Sequence, residues 1–190
     1  FFSNGSPPSQ QTLTVDKVLV SIGRALNSSG LGLEELGVKT ERGKVIVDGN
    51  LQTNIKGVYA IGDVIGGYLL AHVASYEGII AAENAMGGNK NVDYRVVPNG
   101  IYTEPVISSV GLTEDKAKAA GHEVKIGKFP FMALGKAQVM GETEGFVKIV
   151  GDARTDEILG AQIMGPHATD LIAEVALAMQ AEATVHELAE

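Results

Sequence analysis

Apolar positions change their pattern along this chain, and the change predicts two kinds of structure. In the first half they form short runs between glycine turns. Val15–Ile22 reads as a strand ending at Gly23-Arg24, and Gly30–Gly37 as an amphipathic turn with Leu31, Leu33 and Leu36 inward and Gly37 as C-cap. Val45–Val47 is a small strand and Asp48-Gly49-Asn50 a turn. A second turn at Lys56-Gly57 leads into an apolar strand, Val58–Ile61, that stops at Gly62-Asp63. The chain then crosses Gly66-Gly67 and enters an alanine-rich helix near Ala71, which ends at the C-cap pair Gly87-Gly88. Ala74, Gly78, Ala81, Ala82 and Ala85 leave that helix little side chain, which predicts close packing on a sheet.

The composition turns polar over Asn89–Val97, where a domain boundary is expected. Beyond it, Ile101-Tyr102, Val106–Val110, Val124–Phe129, Phe146–Val150 and Ile158–Met164 read as strands, the last two joined through a polar turn, Gly151–Glu157. Thr113 is the N-cap of a helix with Glu114 and Asp115 in its first turn, ending at Gly121. A further helix covers Thr169–Ala181 with Leu171, Ile172, Val175, Ala178 and Met179 on one face. Thr184–Glu187, T-V-H-E, matches a capping box and opens a final helix. Strands in series with helices to one side predict an α+β layer, after a first part of α/β character.

The chemistry-bearing stretch is Thr53–Met86. A buried strand releasing an acid at its C-terminal end, then a loop and a helix start, is how open α/β sheets build a ligand crevice. Gly62 lets backbone approach a ligand, Asp63 accepts from a hydroxyl, and the helix start offers unpaired N–H groups to an electron-rich group. The same spacing also serves a tight turn whose Asp caps the next segment, and spacing does not separate the two.

Bulk properties narrow the classes. The chain has 190 residues and a formal net charge of −8, a length for one or two domains. The acidic balance argues against nonspecific nucleic-acid binding. No apolar run approaches the roughly 20 residues of a membrane span. Phe1–Gln11 is polar after two aromatics, carries no signal-peptide pattern, and is expected to be a frayed start or a hairpin remnant; the missing N-terminal Met suggests a processed, cleaved or excerpted chain. There are 0 cysteines, which removes disulfides and thiolate metal sites. None of the 4 histidines has metal-ligand spacing, so no metal site is expected. His122 and the charge run Asp152–Glu157 read as solvated, His167 as a turn or capping residue, His186 as an exposed helix residue.

The string VYAIGD followed by LLAH resembles the second flavin-contacting segment of the flavoprotein disulfide reductases that bind two dinucleotides, and among them the dihydrolipoamide dehydrogenase family. GKFPF (Gly127–Phe131) and MGPHATDLI (Met164–Ile172) extend the likeness, which runs from Val18 to Glu190. Related glutathione- and mercuric-type reductases tend to have Thr-Pro where this chain has Ala71-His72. The resemblance implies that Asp63 binds the ribityl chain of FAD, and that Leu69, Leu70, Ala71 and His72 lie along the pyrimidine end of the flavin, largely through backbone. It implies Gly23 beside bound NAD, although Ala25-Leu26 stand where the family usually has Pro-Asn; a strand-ending glycine is the plainer reading of that position. It divides the chain into the tail of an NAD-binding domain (1–25), an FAD-contacting segment (26–93) and an interface domain that forms the homodimer (94–190).

The family's redox cysteine pair has no counterpart in the 0 cysteines of this sequence, and its catalytic His–Glu pair would lie just past Glu190. The expectation is therefore a fragment, with no catalytic residue of its own, of an enzyme that reoxidises protein-bound dihydrolipoamide. That enzyme would pair with itself and with lipoyl domains of a 2-oxo-acid dehydrogenase complex, in the cytoplasm or the mitochondrial matrix. The alternatives are an acidic dimerisation module without chemistry, or a fragment of a related glutathione- or mercuric-type reductase.

Overall fold

The computed structural model describes residues 12–190; the Phe1–Gln11 segment lies outside the described residues. Its largest element is a five-stranded antiparallel sheet in the order β3-β4-β7-β6-β5. The strands are β3 (Asn99–Ile101), β4 (Ile107–Gly111), β5 (Val124–Pro130), β6 (Phe146–Asp152) and β7 (Ile158–Met164). β5 and β6 pair in unbroken register from Val124↔Asp152 to Pro130↔Phe146, and a bulge at Val150/Gly151 bends β6 against β7. Helix α4 (Ala168–Gln180) lies on β7 and β4, burying Ala168, Ile172 and Val175 with Val110, Ile158, Ala161 and Ile163. Helix α2 (Glu114–Ala119) starts where the Thr113 hydroxyl accepts from the Lys116 N–H at 3.4 Å, and it closes a smaller cluster of Ala117, Val150 and Leu159. The capping box at Thr184 is present in both directions and opens α5 (Val185–Ala189). The mixed α/β and α+β organisation expected from the sequence is the one observed.

Two elements were not anticipated. A 3-10 turn at Phe131–Ala133 and helix α3 (Gly135–Met140) connect β5 to β6. G-K-A-Q-V-M begins with glycine and buries Ala137 alone, so it carries no helical stripe to read.

In the first half the helix α1 (Ala71–Ala85) forms as expected. Its C-terminus is a Schellman motif: Gly88 N–H donates to the Glu83 carbonyl and Gly87 N–H to the Asn84 carbonyl, each at 3.0 Å. The strands around it differ from expectation. β1 (Thr40–Glu41) and β2 (Lys44–Val45) make a small hairpin, and Val58–Ile61 is held only through bridges to Leu51–Thr53 rather than in a sheet. Val15–Ile22 pairs with nothing among the described residues, and Leu19 and Ile22 are 91% and 94% exposed. Strand propensity is expressed only where a neighbour supplies ladder bonds, and here none does. The small residues of α1 pack only in part: Ala81 is buried with Val73, Glu77, Ile80 and Asn84, Ala74 and Gly78 are half-buried, and Ala82 and Ala85 face solvent.

Gly160 tests the sheet. A Cβ there would collide with the backbone N and carbonyl oxygen of Leu112. Gly160→Ala is expected to cost about 2 kcal/mol by overpacking, lowering the melting temperature by roughly 5 °C in a calorimetric scan.

Candidate functional site

The site is a turn held from behind by a helix. Tyr59 bridges to Gln52, and Ala60 N–H donates to the Leu51 carbonyl, which brings the chain to a 3-10 turn at Gly62–Ile65. Gly62 is buried with φ 71°, a left-handed conformation, and a Cβ on it would approach Ala74 to 3.1 Å. Its N–H donates to Glu77 Oε2 at 2.7 Å. The Gly66 N–H closes the turn on the Asp63 carbonyl at 2.9 Å, and Gly66 and Gly67, both at positive φ, carry the chain over to Leu69-Leu70.

Asp63 points its carboxylate outward. Its one hydrogen-bond partner among the described residues is Arg24, whose Nη1 donates to Oδ2 at 3.1 Å with both side chains largely exposed. An exposed pair of this kind contributes at most about 1 kcal/mol, so a ligand hydroxyl can displace it. Next to it α1 begins with Leu70 as an extended N-cap, no capping side chain and no acid in the first turn. Its leading N–H groups are therefore left for solvent or an electron-rich ligand. Leu69 and Leu70 are half-buried; Ala71 and His72 are exposed, and the His72 ring lies 3.0 Å from the Pro98 carbonyl through Nε2.

The geometry thus brings Asp63 and Leu69–His72 to one turn and one helix start. Gly23 does not join them. It sits at φ 135°, a Cβ added there would meet open space, and it reaches the turn only through its neighbour Arg24.

Glu77 and Tyr94 were missed. Glu77 is 2% exposed; its second oxygen accepts from the Tyr94 hydroxyl at 2.7 Å. Tyr94 in turn packs its ring on Tyr68, centroids 5.7 Å apart. Burial, and then the Glu77 contact, push the Tyr94 phenol well above its ordinary range. The available signal was position: Glu77 falls on the same face as Val73, Ile80, Ala81 and Asn84 by helical spacing.

Two further readings need correction. His122 and Asp152 are not solvated: Asp152 is 3% exposed, and His122 is half-buried with Nδ1 2.9 Å from Asp152 Oδ2. Asp152 Oδ1 also accepts from the N–H groups of Arg154 and Thr155, so this carboxylate ties the β6–β7 turn to the end of α2. His122 borders a cavity of about 630 Å³ that also meets Tyr68, Tyr94, Arg95 and Met179. The contact with His122, then the backbone donor of Arg154, hold the Asp152 carboxyl at about 2 against an ordinary 3.8. An acid depressed on folding adds stability above its unfolded pKa and loses it as pH falls through the folded one. In urea titrations the margin of the wild type over Asp152→Asn should therefore narrow as pH falls from about 4 toward 2.

An acceptor turn ahead of an uncapped helix start, followed by an antiparallel sheet layered with helices, makes a two-part architecture: an α/β region joined to an α+β domain. Sequence comparison makes this specific. Residues 6–78 match the signature described as pyridine nucleotide-disulphide oxidoreductase, and residues 97–190 that of the pyridine nucleotide-disulphide oxidoreductase dimerisation domain. The chain is 56% identical over 178 residues to dihydrolipoyl dehydrogenase of Bacillus subtilis, covering 93% of this chain and 38% of that protein. With dihydrolipoyl dehydrogenase of Thermus scotoductus the identity is 51%, over 95% of this chain and 39% of the relative. Among solved structures, LpdA from Mycobacterium tuberculosis superimposes with a TM-score of 0.80 at 33% identity, covering 88% of this chain and 37% of that one. The HOCl-induced flavoprotein disulfide reductase RclA from Escherichia coli gives 0.78 at 30%, over 86% and 38%. The chain belongs to the pyridine nucleotide-disulphide oxidoreductase family, and it spans well under half the length of these relatives. Among the described residues no helix is long and apolar enough to cross a membrane.

Proposed function

We propose that this chain supplies part of the flavin pocket and the dimer surface of a dihydrolipoyl dehydrogenase, which reoxidises protein-bound dihydrolipoamide and passes electrons through a disulfide and FAD to NAD. The observation that carries the reading is the outward Asp63 carboxylate beside the uncapped start of α1. These groups fit a flavin: the carboxylate suits a sugar-alcohol hydroxyl, and a helix start suits the ring edge that gains negative charge on reduction. Asp63 would hold the ribityl chain, the backbone of Leu69, Leu70, Ala71 and His72 would line the pyrimidine edge, and Gly23 would border NAD. Bound there, FAD supplies two-electron transfer between disulfide and nicotinamide. The chain's own part is to bind, orient and polarise that group.

The 0 cysteines of the sequence leave the chain without a redox disulfide, so the 190-residue polypeptide is inactive alone. Its partners in this reading are a second copy, through the 97–190 domain, and lipoyl domains of a 2-oxo-acid complex. The compartment in this reading is the cytoplasm, with the mitochondrial matrix as the alternative.

Titration of FAD fluorescence tests the pocket. Quenching by the wild-type chain, with at least tenfold weaker binding by Asp63→Ala, is the expected result; equal quenching by both removes Asp63 from the site. Sedimentation of the same preparation should show a dimer, and persistent monomer at high concentration would contradict the interface assignment. Lipoamide-dependent NAD reduction should be undetectable.

A further inference from the structure

Among the described residues, Glu77 is a buried acid with both oxygens hydrogen-bonded and no cation beside it. Oε2 accepts from the Gly62 N–H and Oε1 from the Tyr94 hydroxyl, each at 2.7 Å. Gly62 opens the turn that carries Asp63, and its left-handed backbone leaves few other ways to aim that N–H. Tyr94 stands on the far side, stacked on Tyr68 just after the glycine pair. It is followed within two residues by Val96, which packs on the core of the five-stranded sheet. One carboxylate therefore joins three segments distant in sequence: the acceptor turn, the middle of α1, and the lead-in to the sheet.

We propose that Glu77 is a positioning residue for Asp63, and that the Tyr94 hydroxyl, through Glu77, couples the seating of the sheet domain to the shape of the acceptor turn. This rests on the proposed flavin reading for its consequence, though not for its geometry. Removing the carboxylate leaves the Gly62 N–H without its acceptor inside the protein, so the turn relaxes and the Asp63 carboxylate loses its fixed direction. Removing only the Tyr94 hydroxyl leaves the Glu77–Gly62 bond but frees its other oxygen, so the turn loosens less. Glu77→Gln retains an amide oxygen for Gly62 and an NH₂ that can donate to the Tyr94 oxygen, and so serves as the conservative rescue.

The test is amide hydrogen exchange on this 190-residue chain by NMR, without and with FAD. In Glu77→Ala, exchange at Gly62 should rise at least tenfold while Val150 and Ala161 in the sheet stay within twofold. Tyr94→Phe should raise it about threefold and Glu77→Gln less than that. Unchanged exchange at Gly62 in Glu77→Ala, or a rise shared equally by the sheet amides, overturns the proposal, as does a Tyr94→Phe variant indistinguishable from wild type. With FAD present, the variants should weaken binding in the same order. A wild-type chain that binds no FAD refutes the flavin reading alone, because the exchange arm still decides whether Glu77 positions the turn.

Discussion

The bond from the Gly62 N–H to the buried Glu77 carboxylate is the contact on which the site depends. A turn of four residues with a left-handed glycine at its head has little rigidity of its own. Fixed from behind by an acid in the middle of a long helix, it acquires the rigidity of that helix, and Asp63 can face outward with only an exposed arginine to displace. The price is a carboxylate placed among Val73, Ile80 and Ala81, tolerable only because both of its oxygens accept hydrogen bonds.

The same helix serves twice. Its interior holds the turn, and its uncapped first turn presents N–H groups a few residues from the Asp63 carboxylate. Sequence order accomplishes this with two glycines, Gly66 and Gly67, whose positive φ values fold the chain back on itself between acid and helix. The five-stranded sheet contributes no residue to the turn itself. It reaches the turn through Tyr94, and His72 touches the segment that leads into β3 through the Pro98 carbonyl.

How legible these features were in the sequence follows the range of the contacts that make them. The second half read well because its strands carry their own apolar runs, β6 and β7 pairing through a short turn, and because Thr113 and Thr184 announce their helices locally. Helix α1 and its glycine stop were legible for the same reason. Val15–Ile22 has strand composition but no ladder partner among the described residues, and Val58–Ile61 finds only an isolated bridge to Leu51–Thr53; composition cannot report on partners. The pair His122–Asp152, 30 residues apart, and the link Glu77–Tyr94 arise from tertiary placement. A lone acid in an alanine-rich helix looks solvated until the buried face is known. The outward Asp63 was visible as a residue; what holds it was not.

The most direct measurement is a titration of isotope-labelled chain with FAD, followed by amide chemical shifts. The account predicts perturbations concentrated at Gly62–Asp63 and Leu70–Val73, with the amides of β5 and β6 unmoved. Shifts absent from that turn and helix start, or centred on the sheet instead, would contradict it.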